Sequence, residues 1–313
     1  MKDLKQINDI FQELIGCKII KEEKSDLSTL IQMNNIKGFN PRLLEKDFRL
    51  TMILIYLAKT VPELRFKGET CLNKVYYPYF RLSEDLDFTL PIDEDFVNSN
   101  GEREKFAHKM RTAIKRLTTL MERELNPDQE QHKKALGLEA LCNKEYTYLK
   151  YVLSYPSLID DAHQNIKIEV TYTPKQYFQS CDKKIQSLFI DPLFETPLFM
   201  EQKIQCLALE EMVTEKCRAA LTRRIPAIRD FFDLWYLQKQ GIDIFSHKEV
   251  IIQKCKEITE WKRTLLDQYP LLESQIETDL IPVLQRNESF DLKSIYHDLL
   301  NFQKILVEEE IFS

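Results

Sequence analysis

Two hydrophobic rhythms divide the chain. Asn40 followed by Pro41 has the chemistry of a helix start, because the asparagine side chain can accept from free first-turn amides and proline has no amide to leave unpaired. The apolar run behind it predicts a helix over 43–58, and residues 1–33 and 103–126 also read as helical. Elsewhere the period drops to two. Ile166, Ile168, Val170 and Tyr172 share one face of a half-buried strand, with Lys167, Glu169 and Thr171 on the other, and 147–154 predicts a second strand. A short strand over 64–66, a turn at Gly68 and a helix over 70–77 come before a strand in which Asp85 and Asp87 face away from Leu86 and Phe88. From about Leu207 strand patterns give way to helical spacing, with Pro226 between two helices and Leu292, Ile295, Tyr296, Leu299, Phe302, Ile305 and Leu306 on a last one. Strands alternating with helices predict an α/β (α+β) fold with a mixed sheet, followed by a helical bundle, with domains at 1–205 and 206–313.

The chemistry concentrates in Phe66-Lys67-Gly68-Glu69-Thr70-Cys71-Leu72-Asn73-Lys74 and Arg81-Leu82-Ser83-Glu84-Asp85-Leu86-Asp87-Phe88. A glycine turn feeding a helix can bring backbone amides to a phosphate, so Gly68 and Thr70 are candidates for nucleotide binding. Two carboxylates spaced i,i+2 on a strand project from one edge. Asp85 and Asp87 there suit a hard cation such as Mg²⁺, which is held by carboxylates and substrate phosphates. A surface turn followed by an acidic strand end is the plainer reading of the same residues.

This run resembles the signature of the AbiEii-type nucleotidyltransferases, toxins of type IV toxin–antitoxin and abortive-infection systems within the polymerase-β-like nucleotidyltransferase superfamily. Leu44-Glu45-Lys46-Asp47-Phe48 is similar to that family's lead-in helix. Glu210-Glu211, Lys216, Arg218-Ala219 and Arg229-Asp230-Phe231-Phe232-Asp233-Leu234 resemble its second signature. The resemblance implies a polymerase-β-like mixed sheet and transfer of a nucleoside monophosphate from an NTP with Mg²⁺ or Mn²⁺. It also implies an acceptor that is RNA, such as a tRNA 3′ end, or else a protein, and an antitoxin partner. A noncatalytic nucleotide-binding interaction protein is the alternative, motivated by Glu69, which stands where the family has a second small residue. Glu69 could point into the site, or outward in the helix's first turn, where it complements the dipole.

Two-metal transfer needs a third carboxylate. The resemblance implies an acidic residue in the 165–172 strand, and Glu169 is the candidate, as a metal ligand and as the base that takes the proton of the attacking hydroxyl. An ordinary solvent-facing glutamate is the alternative. By the same resemblance Lys216 neutralises charge on a leaving pyrophosphate. Asp230 belongs to the site, orienting Lys216 or touching nucleotide, while Asp233 and Arg229 could form a structural ion pair. The nucleotide is expected between the sheet edge and the Lys216 helix.

Composition bounds these readings. The chain has 313 residues, 43% hydrophobic and 30% charged, as in ordinary globular proteins. A net charge of −6 argues against broad nonspecific duplex binding, although Arg218, Arg223, Arg224 and Arg229 lie near the second signature and smaller basic clusters fall at 132–134 and 183–184. The seven cysteines form no Cys-x-x-Cys pair and the five histidines do not join them, so neither a zinc site nor a disulfide framework is expected. The longest apolar stretch, around 52–57, is too short for a membrane span, and a cytoplasmic location is expected.

Overall fold

The computed structural model describes residues 38–90, 99–125, 136–157, 162–172, 175–190, 197–199, 201–258, 265–285 and 289–308. The helix expected over 1–33, Cys17 and the basic cluster at 132–134 lie outside them. Helix α1 (Pro41–Thr60) starts as expected, with the Asn40 side chain accepting from the Arg42 amide at 3.0 Å. Then follow β1 (Arg65–Lys67), the short helix α2 (Gly68–Cys71), which widens into a π-turn at Leu72–Tyr76, and β2 (Asp85–Leu90). Helix α3 (Asn100–Leu125) leads to β3 (Gly137–Cys142), β4 (Tyr148–Pro156), β5 (His163–Tyr172), β6 (Cys181–Lys184) and β7 (Lys203–Cys206).

These strands form one mixed sheet in the order β3-β4-β5-β2-β1-β7-β6. Strand β2 runs parallel to β5 and antiparallel to β1, and β1 runs parallel to β7. The period-two pattern decides which face is dry. Leu86 and Phe88, Leu149, Tyr151 and Leu153, and Ile166, Ile168 and Val170 are all buried. Helices α1 and α3 pack on this sheet through Leu50, Ile53, Leu54, Leu57, Met110, Ile114 and Leu117, and the Tyr56 hydroxyl of α1 donates to the Ala113 carbonyl of α3 at 3.1 Å. Covering one face leaves the other for polar side chains.

Three strands carried no sequence expectation. Each is short or exposed: β3 is half solvent-facing, β6 reads Cys-Asp-Lys-Lys, and β7 has four residues. Their partners supply the hydrogen bonds that a local pattern does not announce.

The chain separates into two compact units, one of Met1–Gln176 with Ser180–Leu207, the other of Tyr177–Gln179 with Ala208–Ser313. The second is helical among its described residues, with α4 (Leu209–Thr222), α5 (Ile228–Lys239), α6 (Lys248–Lys256), α7 (Tyr269–Gln275) and α8 (Leu292–Glu308). Its inclusion of three residues from far upstream has a specific cause. The fully buried Glu211 carboxylate accepts from the Tyr177 and Phe178 amides at 2.8 and 2.9 Å and from the Lys254 ammonium at 2.6 Å. A buried charge needs such partners, and this one ties the tripeptide to α4 and α6.

Candidate active site

Gly68 follows β1 and opens α2 with φ +77°, in the left-handed region that a side chain resists. A Cβ at this position would lie 2.5 Å from Asp87 Oδ2. The glycine is therefore required twice, by its backbone conformation and by the close approach of a carboxylate. The turn and the acidic strand, recognised separately in the sequence, meet here as one structural object.

Cross-strand register builds the rest. Lys67 of β1 pairs with Asp87 of β2, Asp87 with Glu169 of β5, and Glu169 with Lys150 of β4, so Lys-Asp-Glu-Lys crosses the polar face in one row. Two residues along on the same face, Asp85 pairs with Lys167. Lys167 Nζ lies 3.5 Å from Asp85 Oδ2, and Glu169 Oε1 accepts from the Tyr148 hydroxyl at 2.9 Å and faces Lys150 Nζ at 3.3 Å. Among the described residues, no three acidic, histidine or cysteine side chains form a ready-made metal cage.

The carboxylates are held under electrostatic tension. Burial, with the Glu69 charge next and Asp85 and Glu169 adding, pushes Asp87 up to about 6. Burial also raises Asp85, helped by Glu69 and Glu84 and opposed by Lys167. Burial and the bond to Glu169 raise the Tyr148 hydroxyl to about 12, so it remains a donor at neutral pH.

Glu69 sits in the first turn of α2, as expected of a residue that complements the dipole, but it is not turned to solvent. It pairs at 2.6 Å with the Arg81 guanidinium, which is only 1% exposed. Thr70 also differs from a simple phosphate floor. Its hydroxyl is buried, donates to the Asp85 carbonyl and receives a bond from Ser83 at 2.7 Å, so it locks the turn to β2. Behind the turn, Lys74 and Asp47 form an ion pair at 2.7 Å with both side chains fully buried, and Lys74 also donates to Thr51 at 2.8 Å. This bond joins the lead-in helix α1 to the turn helix.

In the helical unit, Lys216 lies 2.7 Å from Asp230 and 2.8 Å from Asp233, both buried. Arg223 reaches the second Asp230 oxygen at 3.1 Å, and Arg229 donates to the Asp279 carbonyl at 2.9 Å. The i,i+3 spacing does put both aspartates on one side of α5, and both meet the same lysine. Sequence reasoning passed over Tyr148, Lys150 and Lys67 and placed Lys167 on the Glu169 face without a role. Alternation in β4 could have placed Lys150 opposite the buried residues, but the row of Lys67, Asp87, Glu169 and Lys150 needs the register of four strands.

Comparisons with known proteins bear on the family of the chain. The chain is similar to a Helicobacter pylori structure, JHP933, at 16% identity and TM-score 0.46, covering 87% of this chain and 94% of that one. It is similar to a putative nucleotidyltransferase from H. pylori at 18% identity and TM-score 0.41, covering 85% and 94%. It is also similar to an antigenic nucleotidyltransferase-like protein from Paracoccidioides brasiliensis at 15% identity and TM-score 0.35, covering 83% and 99%. No curated protein matches. The family model described as nucleotidyl transferase AbiEii toxin, type IV TA system, matches residues 55–306, a span that runs from α1 through the glycine turn, the acidic strand and Lys216 into α8. With that match over most of its length, the chain belongs to the AbiEii family of nucleotidyltransferase toxins of type IV toxin–antitoxin systems.

Proposed function

We propose that the polar sheet face transfers a nucleoside monophosphate from an NTP to an RNA end, with Asp85 and Asp87 holding a divalent cation, Mg²⁺ or Mn²⁺. The observation that carries this reading is the row of two carboxylates flanked by two lysines across β1, β2, β5 and β4, with Gly68 pressed against Asp87. The residues fit such a cation. Mg²⁺ takes one or two carboxylates and completes its shell with water and phosphate, so a prebuilt protein cage is not needed. When bound, the ion would neutralise charge that develops on the phosphates.

The other roles follow from what each side chain touches. Glu169, positioned by Tyr148 and Lys150, accepts the proton of the acceptor hydroxyl. The Gly68 turn presents main-chain amides to phosphate, and Thr70 contributes through its backbone while its hydroxyl fixes Asp85. Lys216 is the cation for the leaving pyrophosphate, and Asp230 orients it. The lysines flanking the carboxylates favour a polyanionic acceptor, which makes RNA the first choice and a protein side chain the second. An antitoxin, as the family implies, would oppose this activity.

The test is transfer of label from each α-labelled NTP, with Mg²⁺ or Mn²⁺, into total RNA and protein, comparing the wild type with Asp87→Asn. Label in RNA that vanishes in the variant supports the full reading. Label only in protein overturns the acceptor, and label that survives in Asp87→Asn overturns the metal site.

A further inference from the structure

Away from the polar face, three thiols and a tyrosine meet near the edge of the sheet. Cys181 of β6 and Cys206 of β7 are register partners, and their sulfurs lie 4.0 Å apart. The Tyr76 hydroxyl donates to the Leu207 carbonyl at 2.6 Å and lies 3.3 Å from the Cys181 sulfur and 3.7 Å from that of Cys206. Cys71, in α2, turns its thiol onto Cys206. Cys71 and Cys206 are fully buried, whereas Cys181 is half-buried on the edge strand. None of these sulfurs has a part in the nucleotidyl-transfer chemistry described above.

We propose that Cys181 and Cys206 form an oxidation-sensitive dithiol that closes into a β6–β7 disulfide when the protein meets a peroxide. Exposure sets the order of events within this cluster, because Cys71 and Cys206 are buried and Cys181 is open to solvent. Its sulfur attacks the peroxide O–O bond and becomes a sulfenic acid, and the other peroxide oxygen leaves as water or an alcohol. The Cys206 thiolate then attacks the Cys181 sulfur. The S–S bond forms, the S–O bond breaks, and the hydroxyl leaves as water after taking one proton. Two thiols have lost two electrons to one peroxide.

The surroundings suit Cys206 to this second step. The Cys71 thiol, the Tyr76 hydroxyl and the Cys181 thiol, with Lys183 nearby, pull the Cys206 thiol down to about 7 despite its burial. An attacking thiol is most effective when its pKa lies near the ambient pH. Closing from 4.0 Å to a bond of about 2.05 Å needs rotation of the two side chains, and strands already in register keep the remaining distance short. Cys206 also faces Phe66 of β1, the residue two before Gly68, so the modification site adjoins the strand that delivers the nucleotide turn.

The experiment treats the full, reduced chain with hydrogen peroxide, alkylates the remaining thiols and maps the unreduced peptides by mass spectrometry. The expected result is a linked pair containing Cys181 and Cys206, about 2 Da lighter than the two thiol peptides together and released by dithiothreitol. Cys142, which is exposed but sits on β3 at the opposite edge of the sheet, should enter no such link and serves as the internal control. In Cys206→Ser the link should vanish and Cys181 should accumulate as a sulfenic acid trapped by dimedone. A Cys71–Cys206 link in the wild type would overturn the proposal. So would oxidation of Cys142 while Cys181 and Cys206 are both alkylated, and these wild-type maps decide even if the variant does not fold.

Discussion

Two of the charged clusters in this protein, one on the sheet and one in the helical unit, are built on opposite principles. On the sheet, Asp85 and Asp87 crowd with Glu69 and Glu169, and burial raises both aspartates. In the helical unit, Lys216 is clamped between Asp230 and Asp233, and Arg223 meets Asp230 from the other side. The first centre holds carboxylates that need a cation to become comfortable. The second already contains its cations. A site that must bind and release charged ligands stores the first kind of imbalance, whereas a compensated cluster organises its own helices.

Removing a carboxylate from the first centre is the strongest way to break this contrast. Asp87→Asn should lower nucleotidyl transfer at least about 100-fold, measured as label incorporation, because a lost metal ligand removes several kcal/mol of charge stabilisation. Lys216→Ala attacks the second centre and should lower turnover, through the lost pyrophosphate cation, and stability as well. Taking one partner from a buried cluster costs about 3–5 kcal/mol, since the remaining charges stay desolvated. A thermal melt that stays at the wild-type midpoint while turnover falls would show instead that Lys216 serves phosphate alone.

Gly68→Ala should cost about 1–3 kcal/mol and depress transfer, because the new methyl must both hold a positive φ and displace Asp87 Oδ2. Wild-type melting with normal NTP binding would contradict the close approach. The pH dependence sharpens the comparison further. Asp87 at about 6 is raised from the ordinary 3.8, so the metal-free folded state holds a proton that the unfolded chain releases. Relative to Asp87→Asn, the wild type should therefore gain stability as pH falls from 6 toward 4, by on the order of 2 kcal/mol. A pH-independent difference would sink that assignment.

The smallest effect is expected at Glu69. Glu69→Gly deprives the buried Arg81 of this carboxylate while leaving its bond to the Leu82 carbonyl at 3.1 Å, at a cost of about 1 kcal/mol. It also removes a charge that raises both aspartates, so titration of Asp87, followed by NMR, should shift downward. An unchanged Asp87 would show that Glu69 acts on Arg81 only.

Much of the architecture was legible because its signals are local. The Asn40 cap, the period-two faces of β4 and β5 and the spacing of Asp85 and Asp87 are each contained in a few consecutive residues. Side-chain direction follows from backbone geometry there. Glu169 could be nominated by alternation and family resemblance. Its place beside Asp87 could not, since it depends on a parallel pairing across an intervening helix and two strands. Strands β6 and β7 were illegible for the same reason, and with them the meeting of Cys181 with Cys206.

The amino-acid sequence by itself determined the mixed α/β class, the glycine turn, the pair of carboxylates and the family signatures, because each is a property of neighbours along the chain. Tertiary structure alone decided that Gly68 must make room for Asp87, that Glu69 turns to Arg81 and that Glu211 captures residues 177–179. It also decided that Lys216 is shared by two aspartates. Those outcomes depend on which distant groups share a buried space, and there the cost of leaving a charge unpaired outweighs any local preference.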